Sequence, residues 1–119
     1  MIENIYLPRL ATIQSMRPET IDIITFRVTI DSADGLGKFE YKSGQFAEVS
    51  LPGVGEAPIS ISSSPTRLGA IEFSIRRVGE LTSALHELKP GEKIGIRGPF
   101  GNSFPLKEME GRNLLIIGG

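Results

Sequence analysis

Short runs of alternating apolar and polar residues, separated by glycine and proline, constrain the fold of this chain more than any other feature. The chain has 14 glycines and 8 prolines among its 119 residues. These lie between the apolar runs, as turn residues do. Within residues 21–30, for example, Ile24, Phe26 and Val28 occupy alternate positions. A period of two with β-branched and aromatic residues is typical of half-buried strands, so the sequence predicts a β-rich fold.

The complete pattern predicts an all-β architecture with one helix. Leu81, Ala84, Leu85 and Leu88 have helical spacing and are followed by Lys89-Pro90-Gly91, which ends the helix. Six short strands with one helix are typical of a small antiparallel barrel, closed or nearly closed. A loop is expected at residues 31–38. The strands are predicted at residues 10–17, 21–30, 45–51, 59–62, 71–78 and 93–97.

Composition excludes several classes of function. The absence of Cys excludes thiol redox chemistry, thiolate-bound iron–sulfur clusters, Cys-based zinc sites and a disulfide scaffold, so a redox role would need an organic cofactor. A net charge of -1 gives no basic surface for nucleic acid. No apolar run is long enough to span a membrane, and Met1-Ile2-Glu3-Asn4 lacks the basic start of a signal peptide. We therefore expect a cytoplasmic protein.

No arrangement for acid–base or metal chemistry is visible. His86 is the single histidine and lies within the predicted helix, so we expect it to be a surface or half-buried helix residue. The carboxylates are scattered through strands and loops, with no spacing that pairs two of them as in a glycosidase.

The segment from Arg76 to Thr82 has the composition of an anion site. Two arginines, Arg76 and Arg77, precede Gly79 and the start of the predicted helix, where Thr82 and free backbone N–H groups follow. These groups suit a diphosphate, and a glycine lets a ligand approach the backbone closely. The alternative is ordinary capping of the helix by Thr82 with two surface arginines.

Two further segments could contact a flat ring. In Ala57-Pro58-Ile59-Ser60, an apolar side chain and a hydroxyl occupy consecutive strand positions and face opposite ways, so this strand could line the edge of a planar heterocycle. The alternative is a short strand before a serine-rich turn. In Gly98–Asn102, a tight turn is expected to present Phe100, or to be a plain connection.

The last apolar run breaks the barrel pattern. Leu114–Ile117 is continuously apolar and is followed by Gly118 and Gly119. Such a run is typical of a strand buried on both faces of a parallel sheet, and a glycine turn after it begins a dinucleotide-binding unit. The alternative is an apolar edge strand that ends the barrel.

Five segments in this order resemble the ferredoxin–NADP reductase superfamily: Gly44-Gln45-Phe46, residues 57–62, Ile75–Thr82, Gly98–Asn102 and 114–119. Within it, the chain is most similar to the FAD-binding part of dihydroorotate dehydrogenase electron-transfer subunits, sulfhydrogenase gamma subunits and anaerobic sulfite reductases. The resemblance implies a six-stranded Greek-key barrel with a helix over the diphosphate of FAD.

The resemblance also implies which residues contact the cofactor. Ser60 would lie near N5 of the flavin, and the chain departs from the family motif at Ala57, where the family has Arg, and at Ile59, where it has Tyr. The missing Arg removes a bidentate phosphate contact, for which Arg76 or Arg77 would compensate. The implied cofactor-binding residues are Ala57, Pro58, Ile59, Ser60, Ile75, Arg76, Arg77, Gly79, Leu81 and Thr82.

The function implied is electron transfer from NAD(P)H through FAD to a partner subunit or iron–sulfur protein. Residues 1–111 would form the FAD-binding domain, and residues 112–119 would begin an NAD(P)-binding domain that continues in the intact protein. These residues alone would then be inactive as a reductase. The alternative function is a flavin-free β-barrel that serves as a docking or binding module.

Overall fold

The structure, a computed structural model, describes residues 7–31, 39–67 and 69–118. Within these residues the chain forms one six-stranded sheet and two short helices. In chain order the elements are β1 (Arg9–Pro18), β2 (Ile23–Ile30), β3 (Phe46–Leu51), β4 (Gly55–Ser60), β5 (Ile71–Arg76), α1 (Glu80–His86), β6 (Lys93–Phe100) and α2 (Leu106–Met109).

The strands are hydrogen-bonded in the order β4-β3-β6-β1-β2-β5, and every pairing is antiparallel. Because β6 lies between β3 and β1, neighbours in space are not always neighbours in sequence, as a Greek-key arrangement requires. The edge strands β4 and β5 approach each other at an isolated bridge between Ile61 and Phe73. The sheet is therefore curled into a barrel that its hydrogen bonds do not close.

The core lies inside the curl and follows from the alternation of the strands. On β5, Phe73 and Ile75 are at most 1% exposed, and on β2 the same holds for Phe26 and Val28. Their sequence neighbours face outward because consecutive strand residues point to opposite faces. Helix α1 adds Leu85, which is fully buried in the same cluster. Burying each large apolar side chain contributes roughly 1.5–3 kcal/mol, so this cluster is the main source of stability.

The β-rich fold with a helix near residues 81–88 is confirmed, and β4 begins earlier than predicted, at Gly55. Among the described residues, no helix is long and apolar enough to cross a membrane. Beyond Asp31, the predicted loop at residues 31–38 lies outside the described residues, as do residues 1–6 and Gly119.

The predicted tight turn at Gly98–Asn102 is wrong, because β6 continues through Phe100. Phe100 pairs with Phe46 on β3, and the two ring centroids are 5.8 Å apart. The register of this pairing shifts between Phe46 and Glu48, so β6 accommodates its glycine and proline in a bulge instead of ending.

The predicted strand at Leu114–Ile117 is also absent. The segment forms no helix or strand, and its side chains are 52% to 86% exposed. A strand buried on both faces needs neighbours in a parallel sheet, and the described part of the chain contains only antiparallel pairings. The alternative, an edge strand that completes the barrel, does not occur here either.

Removing residues 112–119 is expected to change the melting temperature by less than about 2 °C, because the exposed segment adds little buried surface. Thermal unfolding of the full and shortened chains, followed by circular dichroism, measures this. A large loss would show that the segment packs into the barrel in solution.

A hydrogen-bonded ion pair ties the end of β2 to β1 and β6. Lys93 donates from Nζ to Asp31 and to Oγ1 of Thr12 (3.1 Å), and Thr12 donates to Oδ1 of Asp31 (2.8 Å). The Lys93 ammonium, together with the Thr12 hydroxyl, lowers the pKa of Asp31 from its ordinary value. A carboxyl group whose pKa is lowered by folding stabilises the folded state above its ordinary pKa, and this contribution is lost as the pH falls through the folded pKa.

The substitution Asp31→Asn should therefore destabilise the protein at pH 7 by less than about 1 kcal/mol, because the pair is partly exposed. The difference from wild type should shrink below about pH 4, where wild-type Asp31 becomes protonated. Melting temperatures of both proteins between pH 7 and pH 2 test this. A difference that stays constant over the whole range would contradict it.

Candidate functional site

The two principal candidate segments lie at the two edges of the sheet. Residues 57–60 belong to β4, and residues 75–82 run from the end of β5 into α1. Helix α1 leaves β5 after a three-residue connection (77–79) and packs against β3 and β4 at the opposite edge. It therefore spans the opening between the edge strands. We refer to the opening between β4 and β5, with the connection 77–79, as the edge gap.

The side chains of β4 alternate between the core and the outside. Ala57 lies opposite Val49 and Ile59 opposite Ala47, and both partners are fully buried. Opposite residues of an antiparallel pair share a face, so Ala57 and Ile59 face the core side. Pro58 and Ser60 face outward and are exposed.

The end of β5 separates the roles of the predicted residues. Ile75 is 1% exposed, so its side chain belongs to the core and only its backbone borders the edge gap. Arg76 is the last residue of β5, and its side chain is 62% exposed, with Nε 3.5 Å from Oδ2 of Asp22. Exposed ion pairs contribute little to stability, so the guanidinium of Arg76 can exchange Asp22 for another anion at small cost.

Arg77 takes a different direction. Its guanidinium donates to Oε1 of Glu87 (3.2 Å) at the end of α1, and its backbone N–H donates to the carbonyl oxygen of Asp22 (2.8 Å). The two arginines thus engage different carboxylates, which agrees with the alternation of side chains expected at a strand end.

Thr82 is 8% exposed, and its hydroxyl is fully used within the protein. Oγ1 accepts hydrogen bonds from the backbone N–H groups of Val78 (2.8 Å) and Gly79 (2.9 Å) and donates to the carbonyl oxygen of Gly79 (3.3 Å). This is the helix-side half of a capping box, with Thr82 at the third helical position and glycine at the N-cap. The capping alternative therefore describes Thr82 in this structure.

Gly79 borders open space. A Cβ atom added to it would meet nothing within 4 Å, and its φ of -162° is extended backbone that any residue adopts. Leu81, by contrast, is half-buried and packs against the core cluster. The connection is thus open to a ligand at Gly79 and anchored to the core at Leu81.

His86 is half-buried at the end of α1, as expected. Its Nε2 lies 2.8 Å from the carbonyl oxygen of Ile75. Sequence reasoning missed this contact, although the four-residue spacing of Thr82 and His86 already placed both on one face of the helix.

Sequence reasoning also missed a cluster beside Ser60. Ser60, Phe46 and Phe100 are in register across β4, β3 and β6. Next to them, Arg97 donates two hydrogen bonds to Glu56, from Nε (3.0 Å) and from a terminal nitrogen (2.8 Å), and the guanidinium of Arg97 lowers the pKa of Glu56. These residues hold β4 against β6 and so fix the strand that carries Ser60.

A separate open cleft of about 450 Å³ lies away from these segments. Its walls come from residues 41–43, Pro65 and residues 103–108, and Phe104 in this wall is 58% exposed. Within the described residues, no group of three or more His, Cys, Asp or Glu side chains is placed to hold a metal ion.

Comparisons with known proteins agree on one family of domains. Residues 11–104 match the family model described as the oxidoreductase FAD-binding domain. The sulfhydrogenase 1 subunit gamma of Pyrococcus furiosus is 46% identical over 99 residues, which cover 83% of this chain and 33% of that protein. The probable dihydroorotate dehydrogenase B (NAD(+)) electron transfer subunit of Methanocaldococcus jannaschii is 39% identical over 112 residues, covering 94% of this chain and 37% of that protein.

Solved structures show the same fold. The ferredoxin reductase in carbazole 1,9a-dioxygenase superposes with a TM-score of 0.68 at 28% identity and covers 78% of this chain and 28% of that one. The ferredoxin-NADP+ reductase from Plasmodium falciparum has a TM-score of 0.68 at 18% identity, covering 87% of this chain and 42% of that one, which supports the fold alone. The chain spans about a third of the length of the curated relatives it matches.

The substitution Thr82→Val should destabilise the protein by about 1–3 kcal/mol, because it leaves the N–H groups of Val78 and Gly79 without their acceptor. Thr82→Ser keeps the hydroxyl and should cost much less. Urea unfolding of the three proteins compares them. Equal stability of the Val variant and wild type would contradict the capping role of Thr82.

Proposed function

The chain belongs to the oxidoreductase FAD-binding domain family, and from this premise we propose that it holds FAD at the edge gap, as the flavin domain of an NAD(P)H-dependent electron-transfer subunit. The observation that carries the proposal is the position of α1. The helix spans the opening between β4 and β5 and so brings the two candidate segments, far apart in sequence, around one opening.

The residues at the edge gap have the chemistry that FAD requires. The cofactor presents a flat heterocycle and a diphosphate with about two negative charges, which need an apolar surface and charged or N–H donors. Pro58 and Ser60 offer an exposed apolar ring and a hydroxyl on one face of β4, and Arg76 offers an exposed guanidinium. Gly79 leaves open space beside the backbone. The residues present therefore fit the group.

In this proposal each part of the chain has a binding role. Arg76 releases Asp22 and binds the diphosphate. The hydroxyl of Ser60 faces the flavin edge near N5, and Pro58 contacts the ring. Ala57, Ile59, Ile75, Arg77, Leu81 and Thr82 shape the site around these contacts.

When bound, FAD accepts a hydride from a nicotinamide and releases electrons singly to an acceptor, so no side chain of the chain has to act as an acid or base. The protein binds and orients the cofactor and limits the access of water to it. We propose that the acceptor is a partner subunit or an iron–sulfur protein. The relatives support this in that two of them are named as a gamma subunit and an electron transfer subunit.

We further propose that residues 112–119 begin the NAD(P)-binding domain of a longer protein. The relatives support this because they are about three times as long as the matched region. The exposed apolar side chains of Leu114–Ile117 suit a strand that becomes buried only in a second domain. In this proposal residues 7–111 alone bind FAD but do not oxidise NADH or NADPH.

The substitution Arg76→Ala should weaken FAD binding by about 1.5–3 kcal/mol, the range for a hydrogen bond to a charged group. Arg77→Ala is the matched control, because Arg77 is equally charged and adjacent but directed to Glu87. It should change binding much less. Titrating FAD into wild type and both variants, followed by quenching of flavin fluorescence, gives the three dissociation constants.

Two outcomes would contradict the proposal. If wild type binds no FAD, the flavin-free docking module becomes the better account. If Arg76→Ala binds FAD as tightly as wild type, the diphosphate lies elsewhere.

A further inference from the structure

Two side chains on one face of α1 hold the connection between β5 and α1 through its backbone. Thr82 and His86 are four residues apart and so lie one above the other on the helix. Thr82 accepts from the N–H groups of Val78 and Gly79, and His86 lies within hydrogen-bond distance of the carbonyl oxygen of Ile75. The backbone from residue 75 to residue 79 is thus fixed at both ends from the same helix.

The chemistry of the contact defines the state of His86. A carbonyl oxygen can only accept, so Nε2 of His86 must carry a hydrogen and donate it to the oxygen of Ile75 (2.8 Å). The neutral tautomer with hydrogen on Nε2 satisfies this. The ring also packs against Phe26, with centroids 6.0 Å apart and a tilt of 52°, and Phe26 is 1% exposed in the core. Packing and hydrogen bond together fix the orientation of the ring.

The segment that His86 holds has few other restraints on its shape. Val78 is 73% exposed, and Gly79 borders open space. Arg76 lies one residue after the carbonyl group that accepts from His86. A ligand that binds a segment already in its final shape does not have to offset the entropy of ordering it.

We propose that His86, together with Thr82, is a positioning residue for FAD: it does not touch the cofactor but holds residues 75–79 in the shape that receives it. This inference rests on the proposed function. It assigns to the single histidine a role in affinity, whereas the alternative is a purely structural helix contact.

The test compares two substitutions of His86 with a matched core variant. His86→Gln keeps an N–H donor near the position of Nε2, and His86→Phe keeps a ring against Phe26 but loses the donor. Ile13→Val is the control for general destabilisation, because Ile13 is 1% exposed on β1, a central strand of the sheet. FAD is titrated into each protein, and each melting temperature is measured.

Wild type and His86→Gln are expected to bind FAD within about threefold of each other, and His86→Phe about five- to tenfold more weakly, as for the loss of one hydrogen bond. Ile13→Val should lose melting temperature but bind FAD within about twofold of wild type. Without FAD, the backbone amides of Val78 and Gly79 should exchange hydrogen faster in the Phe variant than in the Gln variant. If phenylalanine prevents folding, His86→Leu removes the same donor with a smaller side chain.

Equal FAD affinity of His86→Phe and wild type would overturn the role of His86 and leave the proposed function intact. The same holds if the Gln variant binds as weakly as the Phe variant, because the effect would then not come from the donor. Failure of wild type to bind FAD would instead overturn the proposed function itself.

Discussion

The way in which the two edge strands meet determines the rest of this structure. Five antiparallel pairings join the six strands, and the curl brings β4 and β5 together at the bridge between Ile61 and Phe73. Beyond that bridge the edges are not paired, so their backbone groups and outward side chains stay accessible. A fully closed ladder would remove both edges, and with them the opening where the candidate residues lie.

Helix α1 turns this opening into a site. Its apolar face adds Leu85 to the core, which places the helix across the edge gap. Its other contacts are specific to the connection before it: Thr82 takes two backbone N–H groups, and His86 takes one carbonyl oxygen. The same seven-residue helix therefore completes the core and shapes the residues next to Arg76.

The fold could be predicted from local patterns because the alternation of Phe73 and Ile75 with Glu72 and Ser74 directly sets which face is buried. The helix followed from the spacing of Leu81 and Leu85. Pairing across long sequence distances could not be predicted: Gly98–Asn102 has the composition of a turn, yet its first residues continue β6 because Phe100 pairs with Phe46.

The candidate site was predicted as a set of residue types, but their roles depend on tertiary contacts. The hydroxyl of Thr82 is equally suited to a ligand or to a cap, and only the position of Val78 and Gly79 decides between them. The apolar run Leu114–Ile117 has the pattern of a buried strand, but burial needs neighbouring strands that the described residues do not supply.

The central claim is that the edge gap is the place where FAD binds. Comparing the amide signals of the chain by two-dimensional NMR without and with FAD tests it most directly, because each backbone N–H reports on its own surroundings. The account predicts that the largest changes fall in residues 55–60 and 75–82, the strand and the connection that border the gap. Changes centred instead on the cleft formed by residues 41–43 and 103–108 would contradict it.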